Sequence, residues 1–185
     1  MNLTDYCIKT GNENLLSEWN RERNHGINPE EFSKSSRTVV WWKCEKGHEW
    51  QTSIDNRTNG GNGCPYCANR RLLKGYNDLE TLFPDIAKEW HPQKNGSLIP
   101  SDVLAFTHKK VWWKCKKGHE WCAEIMSRTS KRTGCPICAN RKLLKGYNDL
   151  ETLFPDTARE WHPQKNGSLM PSDVLAFSHK KVWWK

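Results

Sequence analysis

A repeat with a period of 71 residues runs through this 185-residue chain and constrains every reading of its fold. Trp41-Trp42-Lys43-Cys44 recurs as Trp112-Trp113-Lys114-Cys115, and again as Trp183-Trp184-Lys185. Residues 68–114 and 139–185 differ at only five of 47 positions: 71/142, 86/157, 88/159, 99/170 and 107/178. The first copy is more divergent, yet it keeps Trp19, Pro29 and Trp41 in register with Trp90, Pro100 and Trp112. A chain built this way is a row of small modules. Its composition agrees, because Leu, Ile, Val and Phe make up 33 of 185 residues, too few for one large aliphatic core. Eleven Trp and eight Cys supply what is missing. Trp buries a large apolar area per residue, and Cys can pin a small fold through a metal or a disulfide.

The start of the chain has neither a basic nor an apolar signal region, and apolar runs stay at about four residues. The expectation is therefore a cytoplasmic protein that does not enter a membrane. In that setting paired cysteines read as metal ligands before disulfides.

The period also selects ligands, since a residue the module needs chemically should recur at the same offset. Six of the eight Cys do so, as Cys44/Cys115, Cys64/Cys135 and Cys67/Cys138. Cys7 aligns with Asp78 and Asp149, and Cys122 aligns with Gln51, so both fail. Among the seven His, only His48/His119 recurs in both complete copies; copy one has Asn20 and Arg37 where the others have His91/His162 and His108/His179. What remains is Cys-x3-His-x15-Cys-x2-Cys, written twice: Cys44, His48, Cys64, Cys67 and then Cys115, His119, Cys135, Cys138. Three thiolates and an imidazole make a closed tetrahedral zinc shell, whereas an iron–sulfur cluster would more naturally use four Cys. Two structural zinc ions per chain are expected. No open coordination position and no hydrolase, nucleotide or deaminase motif accompanies them. No catalytic residue or small-molecule substrate is expected, although an enzyme domain beyond Lys185 stays open.

The expected domains are a first zinc module at 1–75 with its site at 44–67, and a second at 76–146 with its site at 115–138. Residues 147–185 form the truncated opening of a third, lacking its zinc ligands; the chain is then a fragment, or the duplication ended mid-module. Within a module, Asn77-Asp78 can cap a short helix through Leu79, Leu82 and Phe83, and Pro84 can start a second. Residues 92–108 read as a loop, Lys110–Cys115 as a strand, 116–119 as a turn and Glu120–Arg128 as the returning strand. Cys122 then faces away from Trp121, Ala123 and Ile125. Ala139-Asn140-Arg141-Lys142 can begin a helix after the second knuckle. The expected fold class is small α+β: tandem treble-clef or zinc-ribbon-like repeats, each a β-hairpin with two zinc knuckles plus short helices.

Several strings together carry a resemblance. They are Glu89-Trp90-His91-Pro92, Lys94-Asn95-Gly96, Val111-Trp112-Trp113-Lys114-Cys115, Gly118-His119-Glu120-Trp121, Arg128 and Gly134-Cys135-Pro136-Ile137-Cys138. The chain resembles the probable zinc-ribbon (treble-clef-like) domain family over nearly its whole length. That resemblance implies tandem modules of bacterial and phage proteins, at times joined to endonuclease-type domains, with DNA binding as the inferred role.

Charge points the same way. The net charge is +8, distributed as −1 over residues 1–67, +3 over 68–114 and +6 over 115–185. A basic gradient favours a polyanion. Arg57/Arg128 at the end of the hairpin and Arg70-Arg71/Arg141-Lys142 beyond the last Cys are the expected nucleic-acid contacts. The alternative for Arg57 and Arg128 is that they brace the hairpin by stacking on Trp or bonding a carbonyl. DNA is the expected partner, with RNA as a variant, and a nuclease domain or partner is expected alongside. The competing function is a protein-interaction or spacer array with structural zinc and no nucleic-acid role.

Overall fold

Adjacent residues on a strand face opposite ways, and the paired tryptophans obey that rule. In the computed structural model, which describes residues 1–185, Trp42 and Trp113 are wholly buried while Trp41 and Trp112 stay partly open. The chain divides into two units, Met1–Asp78 and Leu79–Lys185. In the first, α1 (Leu3–Thr10) and α2 (Asn14–Ser17) precede a hairpin of β1 (Val39–Lys43) and β2 (Glu49–Ser53), followed by α3 (Ile54–Thr58). The second repeats this order with α4 (Leu79–Leu82), α5 (Pro84–Ala87), β3 (Lys110–Lys114), β4 (Glu120–Glu124) and α6 (Ile125–Thr129). It then continues through α7 (Leu150–Leu153) and α8 (Pro155–Arg159).

Both hairpins are antiparallel, with Trp42 opposite Trp50 and Trp113 opposite Trp121. Each buried strand Trp meets a second Trp edge to face from the segment before the hairpin: Trp19–Trp42 at 5.4 Å and Trp90–Trp113 at 5.6 Å between ring centroids. Indole N–H groups are satisfied, Trp42 donating to Thr52 O and Trp113 to Ala123 O, both at 3.1 Å. An asparagine clamps the outer edge of the first strand as a neighbouring backbone would. Asn24 accepts from Trp41 N and donates to Trp41 O, both at 2.9 Å, and Asn95 and Asn166 do the same at Trp112 and Trp183.

The return strand is shorter than expected. It ends at Glu124, and residues 125–129 form a helical turn. Ile125 and Arg128 are three residues apart, so a strand would send them to opposite faces, whereas one helical turn brings both onto the buried side. The helix expected at Ala139–Lys142 does not form. Asn140 takes φ 51°, and the N–H groups of Arg141 and Lys142 both turn back to Pro136 O. Asn69 (φ 53°), Arg70, Arg71 and Pro65 make the same turn in the first unit.

A uniform offset also misplaces the first helix. Leu3 N donates to Phe32 O, as Leu79 N does to Val103 O and Leu150 N to Val174 O. Phe32 and Val103 are 71 apart, but Leu3 and Leu79 are 76 apart, so the first copy holds five extra residues before Trp19. Cys7 consequently answers to Phe83, not Asp78. It is wholly buried beside the core residues Leu3, Leu15 and Trp42, where it packs as a small apolar side chain.

Candidate metal centres and the basic residues around them

The first knuckle of each site is the hairpin turn itself. Cys44 N donates to His48 O and Gly47 N to Cys44 O, at 3.0 and 2.8 Å, and Cys115, Gly118 and His119 repeat both bonds. Gly47 and Gly118 sit at φ +82° and +85°, which a side chain would strain, so the turn that brings Cys and His together depends on glycine. The second knuckle closes through Ala68 N to Cys64 O and Ala139 N to Cys135 O.

These turns bring four donor atoms to one point in each unit. The donors of Cys44, His48, Cys64 and Cys67 all lie within 4.8 Å of one another, as do those of Cys115, His119, Cys135 and Cys138. In the first site His48 Nδ1 lies 3.5, 3.6 and 3.3 Å from the sulfurs of Cys44, Cys64 and Cys67, and Cys44 Sγ lies 3.9 Å from Cys67 Sγ. In the second, His119 Nδ1 lies 3.2 and 3.6 Å from Cys138 and Cys135, and Cys115 Sγ 3.9 Å from Cys138 Sγ. A tetrahedron with Zn–S of about 2.3 Å and Zn–N of about 2.0–2.1 Å has edges of roughly 3.5–3.8 Å. The donor sets therefore fit two structural zinc ions, ligated through Nδ1.

Burial pushes the Cys64 thiol up to about 11, and burial with hydrogen bonds to Cys135 and Cys115 does the same for Cys138. Cys115 is held below its usual value: burial opposes this, but the N–H groups of Lys117 and His119 outweigh it. Zinc binding must displace the thiol protons, so uptake strengthens as pH rises. Cys122 is exposed on the outer face of β4, and Cys7 lies in the core; neither joins a site.

The recurring histidines that copy one lacks have a different role. His91 is buried, its Nδ1 accepting the N–H groups of Gln93 and Lys94 at 3.2 and 3.1 Å, which leaves the proton on Nε2, 3.0 Å from Glu120 Oε1. Asn20 reproduces both ends, accepting from Arg23 N at 3.1 Å and donating to Glu49 Oε1 at 3.0 Å. Lys94 and His91 hold Glu120 down at about 2.

Arg57 and Arg128 are not on the surface, which corrects their assignment as nucleic-acid contacts. Their side chains are only 6% exposed. Arg57 pairs with Glu18, donates to Asn62 O, and lies 4.8 and 5.3 Å from the rings of Trp42 and Trp50. Arg128 pairs with Glu89 at 2.5 Å between Trp113 and Trp121, at 4.8 and 5.1 Å. They brace the hairpin. Glu18, Glu89 and Glu160 recur at the same 71-residue offset, so pairing recurrent acids with recurrent bases would have found these partners.

Arg70, Arg71, Arg141 and Lys142 do reach the surface. Arg70 and Arg71 line an open cleft of about 420 Å³ with Trp50, Gln51, Thr52, Asn56 and Asn62. The helix start expected beneath them is absent, and their own N–H groups are spent on Pro65. The outer tryptophans are covered by cations, Arg23 over Trp41 at 4.2 Å and Lys94 over Trp112 at 4.5 Å.

Residues 15–70, 86–141 and 157–185 match the family described as probable treble clef zinc finger domain, which covers most of the chain. No curated protein matches it.

Proposed function

The chain belongs to the probable treble clef zinc finger family, and from that premise we propose that its two zinc modules bind nucleic acid, with duplex DNA as the partner. The ligands of this reading are Cys44, His48, Cys64 and Cys67 in one module and Cys115, His119, Cys135 and Cys138 in the other. Each shell is filled by four protein donors, so the zinc holds the fold and leaves no position for a reacting water. The observation that carries the reading is the placement of Arg70 and Arg71 on an open, amide-lined cleft beside the second knuckle. Arg141 and Lys142 stand exposed at the equivalent place. Such side chains meet phosphates and release counterions; Arg70 is oriented by donating to Asn62, whose amide in turn donates to Asn56 at 2.7 Å, and Gln51 stands beside them.

The contact set thus becomes Arg70, Arg71, Arg141 and Lys142, and the charge gradient makes the second pair the stronger. By the resemblance noted above, the modules belong to a larger nuclease-associated bacterial or phage protein. Six cysteines set as metal ligands suit a reducing compartment, and the cytoplasm is the location we propose. No helix is long and apolar enough to cross a membrane.

Binding to duplex DNA measured across a salt series tests this reading. Changing Arg141 and Lys142 to Ala should weaken binding and flatten the logarithmic salt slope by about two units, at roughly 0.9 per phosphate. Arg70→Ala/Arg71→Ala should do less, and zinc content must hold in both variants. A parallel single-stranded RNA series decides between the nucleic acids. A parent with no salt-sensitive binding to either would overturn the proposal in favour of a protein-interaction or spacer array.

A further inference from the structure

Each metal site has one exposed cysteine, and in both a tyrosine that is bonded to a lysine packs on the site's histidine. Cys67 and Cys138 are the exposed members of their tetrads. In the first unit the ring of Tyr76 meets His48 at 4.1 Å and an interplanar angle of 67°. Its hydroxyl lies 3.8 Å from Cys67 Sγ and accepts a hydrogen bond from Lys46 Nζ at 3.2 Å. In the second unit Tyr147 meets His119 at 4.3 Å and 73°, and its hydroxyl accepts from Lys117 Nζ at 3.1 Å.

The tyrosines are held in place. Asn77 is buried, accepts from Leu73 N at 2.8 Å and donates to Tyr66 O and Arg71 O at 3.0 and 2.9 Å. Asn148 binds Leu144 N, Ile137 O and Lys142 O in the same way. Gly75 N donates to Asp78 and Gly146 N to Asp149. A two-sided lock of this kind fixes the one residue between the glycine and the asparagine, which is the tyrosine. Tyr76 and Tyr147 lie outside the residues matched by the family, while Lys46 and Lys117 lie inside the Cys-x3-His turn.

A shell of three thiolates around Zn²⁺ carries a net negative charge, and its solvent-facing sulfur is where an electrophile, oxidant or proton arrives first. A hydrogen bond donated to that sulfur, backed by an ammonium, draws electron density away from it. We propose that Lys46–Tyr76 and Lys117–Tyr147 are caps on the two metal centres: the hydroxyl donates to the exposed thiolate of Cys67 or Cys138, the ring covers the imidazole, and together they slow attack on the sulfur and loss of the metal. The linker after each second knuckle is therefore part of the metal centre before it. The tyrosine and lysine are positioning residues, acting on the metal through its ligands.

The proposal rests on zinc at the two tetrads, and the test separates the two ideas. The full chain is loaded with Co²⁺, and the parent is compared with Tyr76→Phe/Tyr147→Phe, which keeps both rings and removes only the hydroxyls. Losing a hydrogen bond to sulfur should move the thiolate-to-cobalt charge-transfer bands to lower energy, a change that looser packing alone would not produce. In the zinc form, release to a competing chelator and alkylation of Cys67 and Cys138 should quicken on the order of tenfold, as for other groups that orient metal ligands. Lys46→Met/Lys117→Met should shift both readouts the same way, by less. A phenylalanine variant with parental band energies and parental alkylation rates overturns the cap. A parent that takes up no cobalt at the tetrads overturns the zinc reading itself.

Discussion

At the scale of single residues, recurrence separates ligands from scaffold more sharply than residue type does. The eight metal donors are legible because they alone among Cys and His repeat in both complete copies. The burial of Arg57 and Arg128 is not legible from charge counting, since their partners Glu18 and Glu89 lie 39 residues upstream and the stacking surfaces are Trp residues of both strands. The exchange of His91 for Asn20 is explained only by geometry: an imidazole and a carboxamide can each accept a backbone N–H at one end and set a nitrogen about 3.0 Å from a glutamate oxygen at the other. His91→Asn should therefore stay within about 1 kcal/mol of the parent in urea unfolding of the zinc-loaded protein. His91→Leu strands the N–H groups of Gln93 and Lys94, while Glu120 keeps Lys94, and should cost about 1–3 kcal/mol. Equal losses for the two variants would mean that the two hydrogen-bonding ends are not what the position requires.

At the scale of elements, the hairpin and the first short helices are legible in alternation, caps and proline, whereas the pieces after them are not. The turn at Ile125–Thr129 follows from burying Ile125 and Arg128 on one side, a tertiary demand that overrides a strand-like pattern. The missing helix after the second knuckle follows from Asn148, which takes Ile137 O and Lys142 O from a residue well beyond the segment. Asp149 then joins two elements within the second unit. Its carboxylate accepts Gly146 N behind it and Thr152 N, at 2.8 Å, ahead of it, as N-cap of α7. Burial alone would raise its pKa, but these N–H groups outweigh it and hold the carboxyl below the usual range. Asp149→Ala removes a cap and leaves the N–H groups of Gly146 and Thr152 without their acceptor, so the unit should lose about 1–2 kcal/mol in the same unfolding assay. An unchanged midpoint would remove Asp149 from the structural account.

At the scale of the whole molecule, little apolar surface holds the chain together. Each hairpin module has one small core built around tryptophans, with two metal ligands in its wall: Cys44 and Cys64 in the first, and Cys135 with the partly buried Cys115 in the second. Trp184 meets Trp161 as Trp113 meets Trp90, yet it is 43% exposed where Trp113, covered by Trp121, is 0%. Binding energies of about 10–16 kcal/mol for structural zinc exceed the stability such small cores can supply. The central claim is two zinc ions held by the two recurring tetrads and by no other cysteine. Metal analysis of Cys7→Ala/Cys122→Ser protein, with an apolar side chain kept at the buried position, addresses it most directly. Two equivalents of zinc per chain are expected; a fall to one would contradict the ligand assignment, because a cysteine outside the tetrads would then be holding metal.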